Sequence, residues 1–297
     1  MKPRIIAIAG PTASGKTDLS IHIADKLNTE IISFDSRQFY HELNIGVARP
    51  SENQLAAVPH HFIANRSIHD PYTAASFTAE ARIKIDAILG KHEYVVLCGG
   101  TGLYLKAVLE GFSKLPQIKI GVREEVESIW EKNGLPGLIT LIESLDPTAI
   151  LMVESQNPAR MKRAAELLLS AENMTLQDIY TPKMEKIKHP YQIFNLIPER
   201  KWIYQRIESR ADAMMKAGLL EEVRSLLPWK NLPVLKTVGY SELFDYLDEK
   251  TSLEEAVNKI KQHTRNYAKR QITWFKNKTE GIVINGEKSI ENVVNFL

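Results

Sequence analysis

Short apolar runs alternate with amphipathic segments over about the first 110 residues of the chain. Three runs have the length and aliphatic content of buried strands, namely Arg4–Ala9, Glu30–Phe34 and Tyr94–Cys98. Between them, Asp18–Leu27 and Ala74–Leu89 carry apolar residues at helical spacing. Strands that alternate with helices predict an α/β fold, in which a parallel sheet is covered by helices.

The pattern changes between Lys114 and Lys188, where strand signals are absent and successive helices are predicted. The predicted helices are Val122–Lys132, Leu135–Ser144, Pro158–Ser170 and Thr175–Tyr180. Further on we predict strands at Tyr191–Ile197 and Gly281–Ile284 and helices at Ile203–Ala217, Leu219–Leu227 and Leu253–Lys276. The expected organisation is a core domain of residues 1–113 and 189–297, interrupted by an all-helical insertion of residues 114–188.

Composition narrows the class of protein. The 297 residues are 44% hydrophobic and 25% charged, and the net charge of +2 means that any contact with nucleic acid must use local basic patches. The single cysteine, Cys98, excludes an internal disulfide and lies in an apolar run. Because no apolar stretch of about 18 residues occurs, we expect no membrane span and a cytoplasmic protein.

A phosphate-binding pattern, G-x-x-x-x-G-K-[ST], follows the first predicted strand and opens the first predicted helix. Its residues are Gly10, Pro11, Thr12, Ala13, Ser14, Gly15, Lys16 and Thr17. Backbone N–H groups and the helix dipole favour an anion there, Lys16 adds positive charge, and the Thr17 hydroxyl suits Mg²⁺. The pattern predicts a phosphate or diphosphate site.

Polar residues follow the second predicted strand, where Asp35 is succeeded by Ser36, Arg37 and Gln38. An aspartate after a strand commonly serves a turn. In a parallel sheet, however, this strand end shares an edge with the phosphate loop. We therefore favour a carboxylate that accepts a proton or holds a substrate.

The third predicted strand ends in Gly99, Gly100, Thr101 and Gly102. The glycines permit close approach of a ligand or simply form a tight turn. A P-loop ATPase usually carries an acidic residue after such a strand to organise Mg²⁺. Its absence from this position weighs against ordinary ATP hydrolysis.

Basic residues cluster in three places. Arg160, Lys162 and Arg163 follow Pro158 at a helix start, where the dipole does not favour cations, so either a solvated face or a nucleic-acid contact explains them. Arg206 and Arg210, one turn apart, either pair with acids or point at the phosphate site. Residues 261–278 carry six cations and no acid, interleaved with aromatics, which favours contact with nucleic acid.

Three histidines, His60, His61 and His69, invite comparison with a metal site. Their spacing fits no common zinc pattern, and the only cysteine is in a predicted strand. We assign them no chemical role.

Together these motifs resemble the tRNA dimethylallyltransferase family over Ile5 to about Phe275. The matching stretches are Gly10–Thr17, Asp35–Gln38, Asn44–Pro50, Pro59–His61, Gly99–Tyr104, Asn157–Arg163, Gln205–Arg210, Val238–Tyr240 and Ala268–Phe275. One departure is Pro158, since family members commonly have aspartate after the asparagine. The resemblance implies a P-loop NTPase-like core with a helical insertion.

The resemblance also implies the reaction. A dimethylallyl group would pass from dimethylallyl diphosphate to N6 of the adenosine at position 37, next to the anticodon, in tRNAs that read codons beginning with U. The loop and Arg210 would bind the diphosphate rather than ATP, Mg²⁺ would assist with Thr17 as ligand, and Asp35 would be the base with Thr101 beside it.

The tRNA contacts implied by the resemblance come from both predicted domains. They are Asp35, Ser36, Arg37, Gln38, Thr101, Arg123, Ala159, Arg160, Met161, Lys162 and Arg163. We expect a monomer. Three rival functions stay open: an adenylate isopentenyltransferase, a P-loop small-molecule kinase, and an RNA-binding protein with a vestigial loop.

Overall fold

The computed structural model describes residues 2–70, 72–111, 115–171, 173–181, 185–285 and 289–296. The chain forms two compact units. The core unit comprises Met1–Leu109 and Ile187–Leu297, and the helical unit comprises Glu110–Lys186. The predicted domain boundary at 113/114 falls outside the described residues, so that boundary stays a prediction.

The core unit contains one parallel sheet of six strands in the order β3-β2-β4-β1-β5-β6. The strands are β1 Ile5–Ala9, β2 Ile31–Ser33, β3 His60–His61, β4 Val95–Gly99, β5 Tyr191–Leu196 and β6 Ile282–Ile284. The predicted α/β fold with a parallel sheet flanked by helices is confirmed. Strand β3 has only two residues, which is too short for a hydrophobic pattern to predict.

Strand β1 lies in the middle of the sheet, with β4 on one side and β5 on the other. Its side chains alternate between two hydrophobic layers, Ile5 and Ala7 facing one and Ile6 and Ile8 the other, as the strand repeat of two requires. All five residues of β1 are buried. The phosphate loop therefore extends from a fully enclosed strand.

Twelve helices are described: α1 Lys16–Lys26, α2 Glu52–Ala57, α3 Ala74–Leu89, α4 Gly102–Glu110, α5 Val122–Leu145, α6 Pro158–Ser170, α7 Leu176–Tyr180, α8 Arg200–Lys216, α9 Leu219–Ser225, α10 Tyr240–Leu247, α11 Leu253–Lys278 and α12 Ser289–Val294. Helix α11 begins with a capping box, in which the Ser252 side chain accepts the Glu255 N–H and the Glu255 side chain accepts the Ser252 N–H. Helix α10 is too short for its period to be distinguished from a loop in the sequence.

The helical unit packs α5, α6 and α7 around a core of its own. Helix α5 is interrupted at Gly134, where φ is 58° and ψ is −149°, so the two predicted helices meet at a sharp break rather than a loop. Helix α6 begins at Pro158, with the Asn157 side chain accepting the Arg160 N–H. The proline that departs from the family pattern thus suits the first turn. In the described part of the chain, no helix has the length and apolarity needed to span a membrane.

Candidate active site

The phosphate loop connects β1 to α1 at the carboxyl edge of the sheet. Gly15 lies directly before the first residue of α1. Its φ of +89° is in the left-handed region, which a glycine adopts without strain. The Lys16 ammonium folds back over the loop and donates to the Pro11 carbonyl at 3.2 Å. The loop therefore holds its lysine in place through its own backbone.

A cavity of about 400 Å³ lies beside the loop and is lined by Lys16, Thr17, Asp18, Arg206 and Arg210. Burial is the main reason that the pKa of Lys16 lies below its ordinary value; Cys98 and Asp35 oppose this shift, and Arg210 adds to it. Burial and then Arg206 lower the pKa of Arg210, and Asp18 opposes them. Burial and mutual repulsion thus disfavour the charged forms of Lys16 and Arg210 in this cavity.

Of the two alternatives for the arginine pair on α8, the structure places Arg206 and Arg210 at the phosphate-loop cavity. The Arg206 guanidinium lies 4.6 Å from the centre of the Trp202 ring. Glu208, between them in sequence, pairs with Arg265 instead, at 2.9 Å. Among the residues described, neither Lys16 nor Arg210 forms an ion pair with a carboxylate. Buried cations without a carboxylate partner suit an anionic ligand in this cavity.

A second cavity of about 840 Å³ is lined by Thr12 and Lys16 of the loop and by Asp35. Asp35 is partly buried, and one of its carboxylate oxygens accepts the Arg37 N–H at 3.0 Å. Asp35 therefore stabilises the turn after β2, as an aspartate after a strand commonly does, and it also lines a cavity. Lys16, Ala48, Arg210 and Met214 line both cavities and form their common wall.

Thr101 connects the third strand end to the second. Its hydroxyl accepts the Ser36 N–H at 3.1 Å and donates to the Ser36 hydroxyl at 3.3 Å. Thr101 thus fixes the residue that follows Asp35. The structure brings the phosphate loop, Asp35 and Thr101 to one edge of the sheet, as the sequence predicted for parallel strands.

Gln38 is engaged in holding a neighbouring loop. Its amide donates to the carbonyls of Val47 and Ala48 at 3.2 and 3.0 Å. Ser36 and Arg37, by contrast, line the Asp35 cavity. Asp35, Ser36 and Arg37 therefore line the cavity, whereas Gln38 holds Val47 and Ala48, which form part of its wall.

Gly99, which ends β4, and the glycines that follow it make room for protein rather than for a ligand. A Cβ on Gly99 would lie 2.6 Å from the Phe34 ring, one on Gly100 would lie 2.5 Å from the Gln271 amide nitrogen, and one on Gly102 would lie 2.1 Å from the Trp274 ring. Of the two interpretations of these glycines, the structure supports a tight turn, closely packed against α11.

Sequence reasoning gave no individual role to two residues that build this edge. Gln271, buried on α11, accepts the Thr12 N–H and donates to the Gly100 carbonyl, both at 2.9 Å. Glu222, on α9, accepts the N–H groups of Asn44, Ile45 and Gly46 and the Tyr240 hydroxyl. Gln271 lies in a matched family motif, whereas nothing local in the sequence marks Glu222.

The basic run 261–278 is partly neutralised within the core unit. Lys261 pairs with Asp212 at 2.6 Å and Arg265 pairs with Glu208. Arg270 lies 5.7 Å from the centre of the Tyr267 ring, and both line the Asp35 cavity. The part of the run that faces this cavity is therefore an arginine beside an aromatic ring, a combination suited to a nucleic-acid base.

The predicted tRNA-contacting residues of the helical unit lie on α5 and α6. Arg123 and Ala159 are exposed, whereas the Met161 side chain is completely buried in the core of this unit and cannot face a ligand. Arg160 pairs with Glu154 at 2.6 Å, Lys162 with Glu127 at 2.7 Å and Arg163 with Glu166 at 2.9 Å. The cations that oppose the helix dipole are thus compensated by nearby glutamates.

The three histidines occupy separate surroundings. His60 Nδ1 lies 2.7 Å from the Val58 carbonyl, His61 Nε2 lies 2.5 Å from the Glu30 carboxylate, and the His69 ring packs edge-on against Trp229. Within the described ranges, no three His, Cys, Asp or Glu side chains gather as a metal site. His60 and His61 form β3 at the margin of the sheet.

Similarity to known proteins extends over the whole chain. Residues 38–278 match the sequence profile described as IPP transferase. A tRNA dimethylallyltransferase of Christiangramia forsetii is 39% identical over 297 residues, which cover 100% of this chain and 98% of the relative. One of Flavobacterium johnsoniae is 42% identical over 278 residues, covering 92% of this chain and 90% of the relative.

A solved structure agrees with these relatives. The tRNA isopentenylpyrophosphate transferase of Bacillus halodurans is 32% identical and superimposes with a TM-score of 0.73, covering 99% of this chain and 95% of that one. The phosphate loop, the strand-end carboxylate and the glycine turn described above lie within the region of similarity. With its sequence matched along nearly its full length and its fold shared, the chain belongs to the IPP transferase family.

Proposed function

We propose that this protein is a prenyltransferase that moves a dimethylallyl group from dimethylallyl diphosphate to N6 of an adenosine in tRNA. The observation that carries the proposal is the common wall of the two cavities, to which Lys16 and Arg210 contribute. Two cations between an anion cavity and a carboxylate cavity suit a reaction in which an anion leaves on one side and a proton is lost on the other.

The diphosphate occupies the phosphate-loop cavity in this proposal. Backbone N–H groups of Gly10–Thr17, Lys16 and Arg210 offset the negative charge that grows on the diphosphate as it leaves. The Thr17 hydroxyl and the Asp18 carboxylate line this cavity and are the hard oxygen ligands that Mg²⁺ prefers. When bound, Mg²⁺ would neutralise part of the charge of the diphosphate.

The acceptor base occupies the Asp35 cavity. An exocyclic amine on an aromatic base is a weak nucleophile, so a nearby base that takes its proton assists attack. As the bond from N6 to the allylic C1 forms, the bond from C1 to the diphosphate oxygen breaks, and the N6 proton passes to Asp35. Thr101, through Ser36, holds the turn that carries this carboxylate.

We further propose that the acceptor is the adenosine at position 37 of tRNAs that read codons beginning with U, and that a monomer carries out the reaction. A base in a stacked loop must leave the stack to reach a cavity. The proposed tRNA contacts are the exposed residues Arg123, Ala159 and Arg160 and the partly exposed residues Ser36, Arg37, Lys162 and Arg163.

The test is incubation with dimethylallyl diphosphate, Mg²⁺ and unmodified tRNA, followed by nucleoside mass analysis. The expected product is isopentenyladenosine in the tRNA, and its absence would refute the function. Parallel reactions with AMP as acceptor, and with ATP in place of the prenyl donor, distinguish an adenylate isopentenyltransferase and a kinase.

The role of Asp35 has a test of its own. Asp35→Asn should lower the transfer rate by about 10²–10⁴-fold, because the amide cannot take the proton, and should leave tRNA binding largely intact. Asp25→Asn, at an exposed position on α1, is the matched control. Unchanged turnover in Asp35→Asn would overturn the assignment of the base.

A further inference from the structure

Gln271 is a buried amide on α11, a helix that lines the Asp35 cavity with polar, charged and aromatic residues. Only 7% of the residue is exposed, and both ends of its amide are used. Its carbonyl oxygen accepts the N–H of Thr12 in the phosphate loop, and its nitrogen donates to the carbonyl of Gly100, directly before Thr101. One side chain thus ties together the ends of β1 and β4.

The backbone is shaped around this amide. A Cβ on Gly100 would lie 2.5 Å from the Gln271 nitrogen, so glycine is needed for the amide to reach the carbonyl. A primary amide, with an N–H donor and a carbonyl acceptor on one carbon, occurs only in glutamine and asparagine, and asparagine is one methylene shorter. The site is therefore fitted to glutamine by chemistry and by length.

Gln271 connects the two halves of the proposed reaction. From the phosphate loop the hydrogen bonds run through Gln271 to Gly100, and from the adjoining Thr101 to Ser36, which is next to Asp35. This chain of contacts links the diphosphate site to the proton acceptor, in addition to the pairing of β1 and β2 with β4 in the sheet. Gln271 itself also lines the Asp35 cavity.

From this geometry we infer that Gln271 is a positioning residue, which fixes the phosphate loop relative to the turn carrying Thr101 and Asp35. The inference rests on the proposed function. A displacement of about 1 Å in a reacting group lowers rates by about 10²-fold, so loss of the clamp should appear mainly in kcat. The affinity for each substrate alone depends on contacts within one half of the site and should change less.

The experiment compares Gln271→Met, which keeps the length and removes both hydrogen bonds, with Gln271→Glu, which keeps only an acceptor for Thr12. We expect kcat to fall by about 10²-fold in Gln271→Met, while KM for dimethylallyl diphosphate and for tRNA changes by less than about threefold. Gln192→Met is the matched control, because Gln192 lies at the start of β5 and, within the described residues, its amide donates only to the adjacent Ile193 carbonyl. A loss that resides in KM alone, or one equal to that of the control, would overturn the inference.

Amide exchange provides a test that does not require activity. In the wild-type protein the Thr12 amide should exchange slowly, and in Gln271→Met it should exchange at least about tenfold faster, since its acceptor is gone. Gln271→Glu should retain protection at Thr12 and still lose turnover, because it cannot hold Gly100 when ionised. Equal protection of Thr12 in all three proteins would contradict the clamp, whereas an inactive wild-type protein with the expected exchange would contradict only the proposed function.

Discussion

Two groups of cations, one in each unit of the molecule, differ in how their charge is satisfied. On α6, Arg160, Lys162 and Arg163 each pair with an exposed or partly exposed glutamate. At the phosphate loop, Lys16 and Arg210 are drawn into a cavity without such a partner in the described structure, and burial lowers the pKa of both. The first group is balanced without a ligand, and the second is not.

The difference separates two kinds of binding site. Keeping a cation buried and unpaired costs free energy, so a fold that does so is prepared for an anion that completes it. Exposed ion pairs contribute little to stability, and their cations exchange partners readily. A bound diphosphate is therefore expected to alter the stability of the core unit, whereas RNA phosphates would compete with the glutamates that pair with the α6 cations.

The largest effect is expected from removing the buried lysine. Lys16→Met should lower kcat/KM for prenyl transfer by about 10²–10³-fold, because the growing charge of the leaving diphosphate loses one of the cations that line its cavity. The midpoint of thermal unfolding should stay the same or rise, since the repulsion from Arg210 is removed. Lys26→Met, on the exposed end of α1, is the control for both measurements. Full activity with a lowered midpoint would mean that Lys16 is a structural residue.

Inorganic pyrophosphate should stabilise the protein through the same cavity. At about 100 times its dissociation constant, it should raise the free energy of unfolding by about 2.7 kcal/mol, provided that it binds only the folded state. The increase should vanish in Lys16→Met and persist in Lys162→Met, as followed by thermal unfolding. Equal stabilisation of both variants would remove the distinction between the two groups of cations.

A smaller effect is expected on α6. Lys162→Gln should raise KM for tRNA a few-fold and leave kcat unchanged. In a plot of the logarithm of the tRNA association constant against the logarithm of the salt concentration, it should reduce the magnitude of the slope by about 1. Glu127→Gln should act in the opposite direction, because it releases Lys162, which lies 4.7 Å from the centre of the Trp130 ring. If neither variant alters tRNA binding, α6 is merely a solvated face.

The smallest effect concerns a buried charge that is fully satisfied. Burial alone would raise the pKa of Asp146, but hydrogen bonds from Leu176 and Thr148 outweigh it, and the pKa lies below its ordinary value of 3.8. A depressed carboxyl pKa stabilises the folded state above that value, and this contribution is lost as the pH falls through the folded pKa. Unfolding followed from pH 6 down to about pH 2 should therefore show a loss below pH 3.8 that Asp146→Asn lacks. Identical pH profiles would show that Asp146 contributes nothing.

Local features of the site could be predicted from the sequence, and distant ones could not. Gly10–Thr17 combines a strand, a turn and a helix start within one short stretch, so its position at the sheet edge follows from pattern alone. Asp35 and Thr101 follow from the rule that parallel strands share an edge. Gly99, Gly100 and Gly102 predict a close contact with the backbone, but the sequence does not show whether a ligand or another part of the protein makes that contact.

The parts that escaped prediction depend on contacts between remote segments. Glu222 meets the N–H groups of residues 44–46 across more than 170 positions of sequence, and no period or capping signal encodes such a meeting. Met161 lies in a stretch that matches a tRNA-contacting motif, yet helical spacing turns its side chain into the core while its neighbours remain outside. A motif match indicates that a stretch of residues contacts tRNA, but the packing of the helix decides which of its side chains are accessible.

The bond between Thr12 and Gln271 spans 259 positions of the chain. During synthesis the phosphate loop therefore emerges early, whereas the residue that holds it emerges much later. A nascent chain that stops short of α11 has the motif by which such enzymes are recognised but not the clamp that fixes it. With the role proposed for Gln271, the site is complete only once α11 has been made.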